Sequence, residues 1–183
     1  MEIIIVLGVV VLIAVFIISQ DNRLIRLNIT VDEAWAQIEV QLKRRADLIP
    51  NLVETVKGYA SHEKSTFDAV VTARAKATTA STVADTAAAD GMLTQALRGL
   101  LAVAEAYPDL KASTNFLSLQ EELSTTENKV SFSRQFYNDN VRELNTAVKT
   151  IPSSFFAGFA KVTEREFYEV ENPQDRNVPN VKF

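Results

Sequence analysis

Cysteine is absent from this chain of 183 residues, and histidine occurs once, as His62. The lack of cysteine excludes disulfides, cysteine-based metal sites and a thiol nucleophile. Glu63 follows His62, but the sequence has no HExxH and no Glu-x-x-His motif, which argues against a zinc protease or a di-iron centre. A serine triad would also need a suitably placed histidine. We therefore expect a protein that is not an enzyme and that has no metal and no cofactor.

Glycine and proline are scarce, at 5 residues each, and the formal net charge is −4. The isolated glycines form no phosphate-binding loop. A chain with so few helix breakers favours long helices. The acidic balance leaves no basic stripe along which a nucleic acid could bind, so we expect no nucleic-acid partner.

One unbroken apolar run extends from Ile3 to Ile18. It is slightly shorter than the roughly 20 residues that a spanning helix needs, and Met1 and Ser19 extend it. A secretory signal would carry a basic start and a small-residue cleavage site, and neither is present. A buried segment of a soluble domain would be unusual at an extreme terminus. We predict a retained single-pass anchor whose partner is the lipid bilayer.

The anchor and its juxtamembrane segment occupy residues 1–26 in this interpretation. Arg23 and Arg26 follow the apolar run, and no Lys or Arg precedes it. Because Lys and Arg collect on the cytoplasmic side of a membrane, this asymmetry favours a cytoplasmic location for the rest of the chain.

Residues 27–151 have the three-and-four spacing of buried positions on long helices. The first helix should run to about Ala60, with a kink or widened turn at Pro50. Thr30 to Glu33 has the form of a capping box, so either a new helix begins there or the anchor helix continues. The predicted buried positions are Val31, Trp35, Ile38, Leu42, Ile49, Leu52, Val56 and Tyr59.

Two shorter segments follow. A second helix is expected from about Glu63 to Ala77, and the stretch from Thr78 to Asp90 is either a loop or an Ala-rich helical arm. Helical periodicity then resumes and ends at Pro108.

The last long pattern closes at Pro152, and its predicted buried positions are Phe116, Leu119, Leu123, Thr126, Val130, Ser133, Tyr137, Val141, Leu144, Val148 and Ile151. The fold prediction is all-α, an N-terminal transmembrane helix followed by an antiparallel bundle of long helices. Residues 152–183 are expected to form an aromatic-rich C-terminal segment and an extended tail that packs on the bundle.

The densest charge cluster surrounds Arg45, which falls on an apolar position beside Lys43 and Arg44. Arg45 should be at least partly buried, and a buried guanidinium needs a carboxylate. Glu122 and Glu127 on the last long helix are available as partners. The alternative interpretation is a dock for a partner protein or for anionic lipid.

A polar network near the core is also expected. Asp47, Asn51 and Glu54 surround Pro50 and could satisfy the carbonyl that the proline frees. A second polar group comprises Asn128, Arg134, Tyr137, Asn138 and Asn145. We interpret the two groups as a structural network that sets the register of the bundle, with a docking groove as the alternative.

Phe155, Phe156 and Phe159 crowd a short segment near the C-terminus. They could form an exposed aromatic contact for a partner. Clusters of phenylalanine at the end of a bundle more often close its core, and this lid is the favoured interpretation.

Three segments together resemble the LemA family: WAQIEVQLKRRADLIPNLVETVKGYASHE from Trp35, EAYPDLKAS before Asn115-Phe116, and TENKVSFSRQFYNDNVRELN from Thr126. Val181-Lys182-Phe183 at the C-terminus also fits. The resemblance extends over essentially the whole chain and implies a membrane helix followed by an all-α bundle in a bacterial cell membrane. It implies no reaction, because the family is not known for one.

The expected function is therefore that of a membrane-anchored interaction or scaffold protein that self-associates into a homo-oligomer. The resemblance also suggests an accessory subunit of a membrane enzyme, such as a heat-shock-type zinc metalloprotease. A hydrolase that uses only carboxylates ranks last.

Overall fold

The computed structural model describes residues 1–169, which form helices and turns and contain no strand. The predicted all-α fold is confirmed. The prolines of the expected tail, Pro173 and Pro179, lie outside the described residues. The helices are α1 (Glu2–Lys57), α2 (Lys64–Thr79), α3 (Val83–Glu105), α4 (Pro108–Lys111) and α5 (Thr114–Lys149), followed by a 3₁₀ turn at Ser153–Phe155.

Helix α1 continues from the apolar run past Thr30 without interruption. Thr30 does not cap a new helix, because its hydroxyl donates to the carbonyl of Arg26, four residues earlier. Of the two alternatives for this point, the continuing helix is the one observed. Pro50 also lies inside α1 and does not end it. The helix ends at Lys57, slightly before the predicted end near Ala60.

The chain divides into two compact units, and both long helices run through each of them. The first, which we call the anchor unit, consists of Met1–Ile38 and Ser133–Phe167. The second, which we call the core unit, contains Glu39–Phe132 and also Tyr168.

In the anchor unit, α1 and α5 are antiparallel. The rings of Trp35 and Tyr137 lie 5.4 Å apart at one point. A second contact lies nearer the start of α1. The hydroxyl of Ser153, which follows the end of α5, donates to the side-chain oxygen of Gln20 at 3.1 Å. The buried apolar side chains of this unit include Leu24, Val31, Ala34, Ile38, Val141 and Leu144.

In the core unit, an apolar cluster joins α1, α2, α3, α4 and the first half of α5. Thr82 caps the start of helix α3, and its side chain accepts from the backbone N–H of Asp85. The stretch from Thr78 to Asp90 therefore comprises the last two residues of α2, a short connection and the first turns of α3. The cluster is built on Ile49, Leu52, Val56, Phe67, Val70, Leu93, Leu97, Leu100, Leu110, Phe116 and Leu123.

Two predicted core positions are wrong. Tyr59 is 46% exposed and Ile151 is 75% exposed. Both lie just beyond a helix end, since α1 ends at Lys57 and α5 at Lys149. The helical period no longer decides where a side chain points once the helix has ended. Pro108 also begins the short α4 instead of ending a helix, a position that suits its fixed backbone angle.

Candidate functional site

The core unit contains a buried ionic centre on Arg45. Its side chain is 3% exposed, and Nη1 lies 2.6 Å from a carboxylate oxygen of Asp90, which is also 3% exposed. Nη2 donates to the hydroxyl of Thr94 at 3.0 Å. Arg45 sits one turn before Ile49 on the apolar stripe of α1, and this position carries its charge into the core.

Two further groups complete the centre. The carboxylate of Glu127 lies 2.7 Å from Nη2 of Arg45 and is 41% exposed. The hydroxyl of Tyr168 donates to the second carboxylate oxygen of Asp90 at 3.2 Å. Nη1 and Nη2 are thus both engaged, whereas the buried Nε of Arg45 has no hydrogen-bond partner within residues 1–169. Arg45 and Tyr168 bond to different oxygens of the Asp90 carboxylate, and these bonds offset much of the cost of burying its charge.

The neighbouring charges on α1 form surface pairs. Arg44 lies 2.9 Å from Glu122, with both side chains more than 40% exposed. Lys43 and Asp47 lie 3.7 Å apart and are largely exposed. Exposed pairs of this kind contribute about 0–1 kcal/mol each, so Arg44, Glu122 and Asp47 matter far less to folding than Arg45 does.

The carbonyl freed by Pro50 is that of Ala46, and Nε of Arg74 on α2 donates to it at 2.8 Å. The expectation that Asp47, Asn51 or Glu54 would satisfy this carbonyl is wrong. Carboxylates offer no donor when ionised, and the amide of Asn51 lies on the exposed side of the helix. Arg74 thus replaces the backbone N–H that proline lacks and ties α2 to α1.

A second polar group lies in the anchor unit around Tyr137 and Asn145. The Tyr137 hydroxyl donates to the carbonyl of Glu166 at 2.9 Å. The Asn145 amide donates to the carbonyl of Arg165 at 2.9 Å and accepts from the N–H of Arg165 at 2.8 Å. Arg165 also pairs with Asp32 on α1. These contacts hold the chain after the 3₁₀ turn against both long helices.

The environment of Tyr137 favours its neutral form. Burial raises the pKa of Tyr137, and the negative charge of Glu166 raises it further. Arg134, about one turn before Tyr137 on α5, and Asn138, the next residue after it, are half-buried in the same unit. Asn128 lies in the core unit and is exposed. The second polar group proposed from the sequence is therefore divided between two units.

The three phenylalanines near the C-terminus lie in the anchor unit and differ in exposure. Phe155 is 67% exposed and Phe159 is 84% exposed, so neither closes a core within the described residues. Phe156 is half-buried and meets Phe16 of α1 edge to face, with ring centroids 6.2 Å apart.

The LemA family model matches residues 34–183. This chain belongs to the LemA family. The match begins at Ala34, so it includes the Arg45 centre but not the apolar run. The family is not known as a catalytic one.

This LemA family member is also similar to a curated relative, Protein LemA of Metamycoplasma hominis. The two are 25% identical over 134 residues, which is 73% of this chain and 61% of the relative. The chain thus spans about 61% of the length of the relative that it matches.

A cavity of about 320 Å³ opens beside the Arg45 centre of this family member. Leucines form its apolar part, and Thr94, Arg98, Ser124 and Glu127 supply polar atoms at its edge. Such a groove can accept a side chain of a partner or a small amphipathic molecule. Within residues 1–169, no group of three or more Asp, Glu or His side chains is arranged to hold a metal ion. His62 is exposed in the turn before α2.

Sequence reasoning missed Asp90, Thr94, Arg74 and Tyr168. A signal for Asp90 was present, because it shares the three-and-four spacing of the buried positions Thr86, Leu93 and Leu97 on α3. A carboxylate on an apolar stripe requires a buried cation, just as Arg45 on its own stripe requires an anion. No comparable pattern in the sequence pointed to Arg74 as the donor to the Ala46 carbonyl.

Proposed function

We propose that this LemA family member is a membrane-anchored interaction protein without enzymatic activity, held in the bilayer by Ile3–Ile18. One observation carries the proposal. The most apolar 18-residue window of α1 has a mean hydropathy of 3.1, and 0% of it is buried within the protein. One helix among the described residues is long and apolar enough to cross a membrane.

Lipid is the covering that suits this surface best. Each large apolar side chain left in water would cost about 1.5–3 kcal/mol relative to an apolar surrounding. Helix is also the state that satisfies the backbone inside hydrocarbon. Bilayer insertion removes this cost without requiring any partner protein.

Retention of the helix, as opposed to cleavage as a signal peptide, has its own support. Phe16 packs against Phe156, and Gln20 accepts from Ser153. The last turn of the apolar run is thereby integrated with the rest of the anchor unit. A signal peptide that is cleaved off does not contribute to the packing of the mature chain.

The bundle is proposed to face the cytoplasm, because Arg23 and Arg26 follow the span, whereas Met1 and Glu2 on its other side are not basic. The bacterial cell membrane is the location that the family implies. A cysteine introduced at the exposed Ser131 tests the side directly, since the chain has no other cysteine. Labelling by a membrane-impermeant maleimide only after cell lysis is expected, and labelling in intact cells would contradict the orientation.

An interaction role fits the chemistry of the core unit. Its most buried charges, Arg45 and Asp90, are engaged with each other and with neighbouring hydroxyls. Groups held in this way stabilise a rigid helical surface. Self-association is part of the proposal, and the exposed span supports it. A Cβ added at Gly8 would meet no atom within 4 Å, which leaves room for a second helix to approach closely.

Purification of the full chain in mild detergent, followed by size-exclusion chromatography with light scattering, tests the proposed role. A homogeneous assembly of copies of this chain is expected, and Gly8→Ile should weaken it. A monomer would contradict self-association. A zinc metalloprotease that co-purifies in stoichiometric amount would favour the accessory-subunit role. Hydrolytic activity that disappears in Glu122→Ala would overturn the non-enzymatic assignment.

A further inference from the structure

The turn that follows α5 is unusually apolar for a surface segment. No charged residue occurs from Thr150 to Ala160. Three large side chains of this turn are exposed: Ile151 by 75%, Phe155 by 67% and Phe159 by 84%. In water, such a cluster would be an unfavourable patch, so it needs a covering.

The position of the turn indicates what covers it. Two contacts tie the turn to the end of the apolar run: the Phe156 ring meets Phe16 with centroids 6.2 Å apart, and Ser153 donates to Gln20 at 3.1 Å. The turn that carries the exposed aromatic side chains therefore lies beside the last turn of the proposed span.

Helix geometry sets the depth of these contacts. About 20 residues at about 1.5 Å each are needed to cross hydrocarbon of about 30 Å. A span that begins at Glu2 thus leaves the hydrocarbon near Asp21. Gln20 then lies at the boundary between hydrocarbon and headgroups, and Phe16 lies about 7.5 Å inside it. The Phe156 ring lies at the depth of Phe16.

The chain changes direction sharply at the end of the turn. Lys161 adopts a left-handed conformation with φ of 52°, and the N–H of Val162 bonds to the carbonyl of Ala157 at 3.0 Å. This arrangement ends a helical turn and redirects the chain. Charged side chains resume at Lys161, so the uncharged part of the sequence coincides with the turn itself.

We propose that the turn from Ile151 to Phe159 inserts into the bilayer interface beside α1 and forms a second membrane contact. Phenylalanine side chains pack at the boundary between headgroups and acyl chains. Lys161 is exposed at the end of the turn and can reach headgroup phosphates, whereas Lys149 pairs with Glu164 at 2.7 Å. The inference rests on the proposed anchoring of α1 and deepens it. The turn would fix the tilt and rotation of α1, which a single helix leaves free.

Single-cysteine variants of the full chain, labelled with the environment-sensitive fluorophore NBD, test the inference. The probe sites are Phe155→Cys and Phe159→Cys, with Leu12→Cys as the reference inside the span. Gln135→Cys is the aqueous control, because it is exposed on α5 about 21 Å along the helix from Lys149. The protein is reconstituted in vesicles of phosphatidylcholine and phosphatidylglycerol, with or without lipid that carries a nitroxide near the headgroup end of its acyl chains.

Blue-shifted emission and strong nitroxide quenching at Phe155 and Phe159 are expected, with neither effect at Gln135. A water-like spectrum at both turn sites, with Leu12 still in lipid, would overturn the inference and leave the anchor intact. Blue-shifted emission without nitroxide quenching would also overturn it, because a protein surface would then cover the turn. A water-like spectrum at Leu12 would instead overturn the proposed anchoring.

Discussion

The Arg45 guanidinium and the Asp90 carboxylate meet at 2.6 Å, with 3% of each side chain exposed. The two residues lie on different helices and are 45 positions apart in the chain. Both charges are thus largely shielded from water. The pair therefore makes the alignment of α1 with α3 depend on both residues together.

Removing one member of this pair should destabilise the protein strongly. Arg45→Met leaves Asp90 buried without its cation, and Asp90→Leu leaves Arg45 without its main anion. We expect Arg45→Met to lower the free energy of unfolding by about 3–5 kcal/mol, because an unpaired carboxylate then remains buried. Asp90→Leu should cost less, because Glu127 still pairs with Arg45 at 2.7 Å. Denaturant unfolding in detergent, followed by circular dichroism, measures the loss.

The matched control is the exposed pair of Arg44 and Glu122. Arg44→Met should change the free energy of unfolding by no more than about 1 kcal/mol. The double variant Arg45→Met with Asp90→Leu should recover much of the single-variant loss, because no charge is then stranded. Equal effects of Arg45→Met and Arg44→Met would contradict the buried pair.

The bond from Arg74 to the Ala46 carbonyl should depend on Pro50. Arg74→Met removes the side-chain donor to this carbonyl and should cost about 1–3 kcal/mol. In a Pro50→Ala background the backbone N–H returns and can satisfy Ala46, so the same change at Arg74 should cost clearly less. A double-mutant cycle on unfolding free energies measures the difference. Additive effects of the two substitutions would show that the two features are independent.

The long helices were predictable because their signals are local. The buried positions of α5, from Phe116 to Leu144, repeat at a helical period that the sequence shows directly. The burial of Arg45 also followed from its place in that period. The burial of Asp90 could have been read from the same spacing, but its pairing with Arg45 could not, because the choice among several carboxylates is made by tertiary packing. For Phe155 and Phe159 the sequence left two alternatives, an exposed contact and a lid on the core, and the favoured lid is not the one observed. A patch that lipid can cover does not need to close a core.

Alkaline conditions should destabilise the anchor unit through Tyr137. Burial and the Glu166 charge raise the pKa of Tyr137, whereas an unfolded tyrosine titrates near about 10. Above that pH the unfolded state loses the proton first, so the free energy of unfolding falls as pH rises. Below it, both states keep the proton and this contribution to stability is fully present. Unfolding curves between neutral pH and about pH 11 should show a shallower decline in Tyr137→Phe than in the unmodified chain. Identical slopes would contradict the assignment.

Asn145 should hold the segment around Arg165 against α5. Its amide makes two hydrogen bonds to the backbone of Arg165, at 2.9 and 2.8 Å. Asn145→Ala removes both and should cost about 1–2 kcal/mol. Amide hydrogen exchange followed by mass spectrometry should then be faster in the peptide that contains Arg165. Asn140→Ala is the control, because Asn140 bonds to the carbonyl of Phe136 on its own helix. Unchanged exchange at Arg165 in Asn145→Ala would mean that the two bonds do not hold the segment.

The central claim is that α1 stays in the membrane, and alkaline carbonate extraction of cell membranes tests it most directly. The full chain is expected to remain in the membrane pellet after extraction, and a variant lacking residues 2–18 is expected to move to the supernatant. Intact-mass measurement of the pelleted protein should show the N-terminal helix still attached. Recovery of the full chain in the supernatant, or of a mature form that begins after Ser19, would contradict the account.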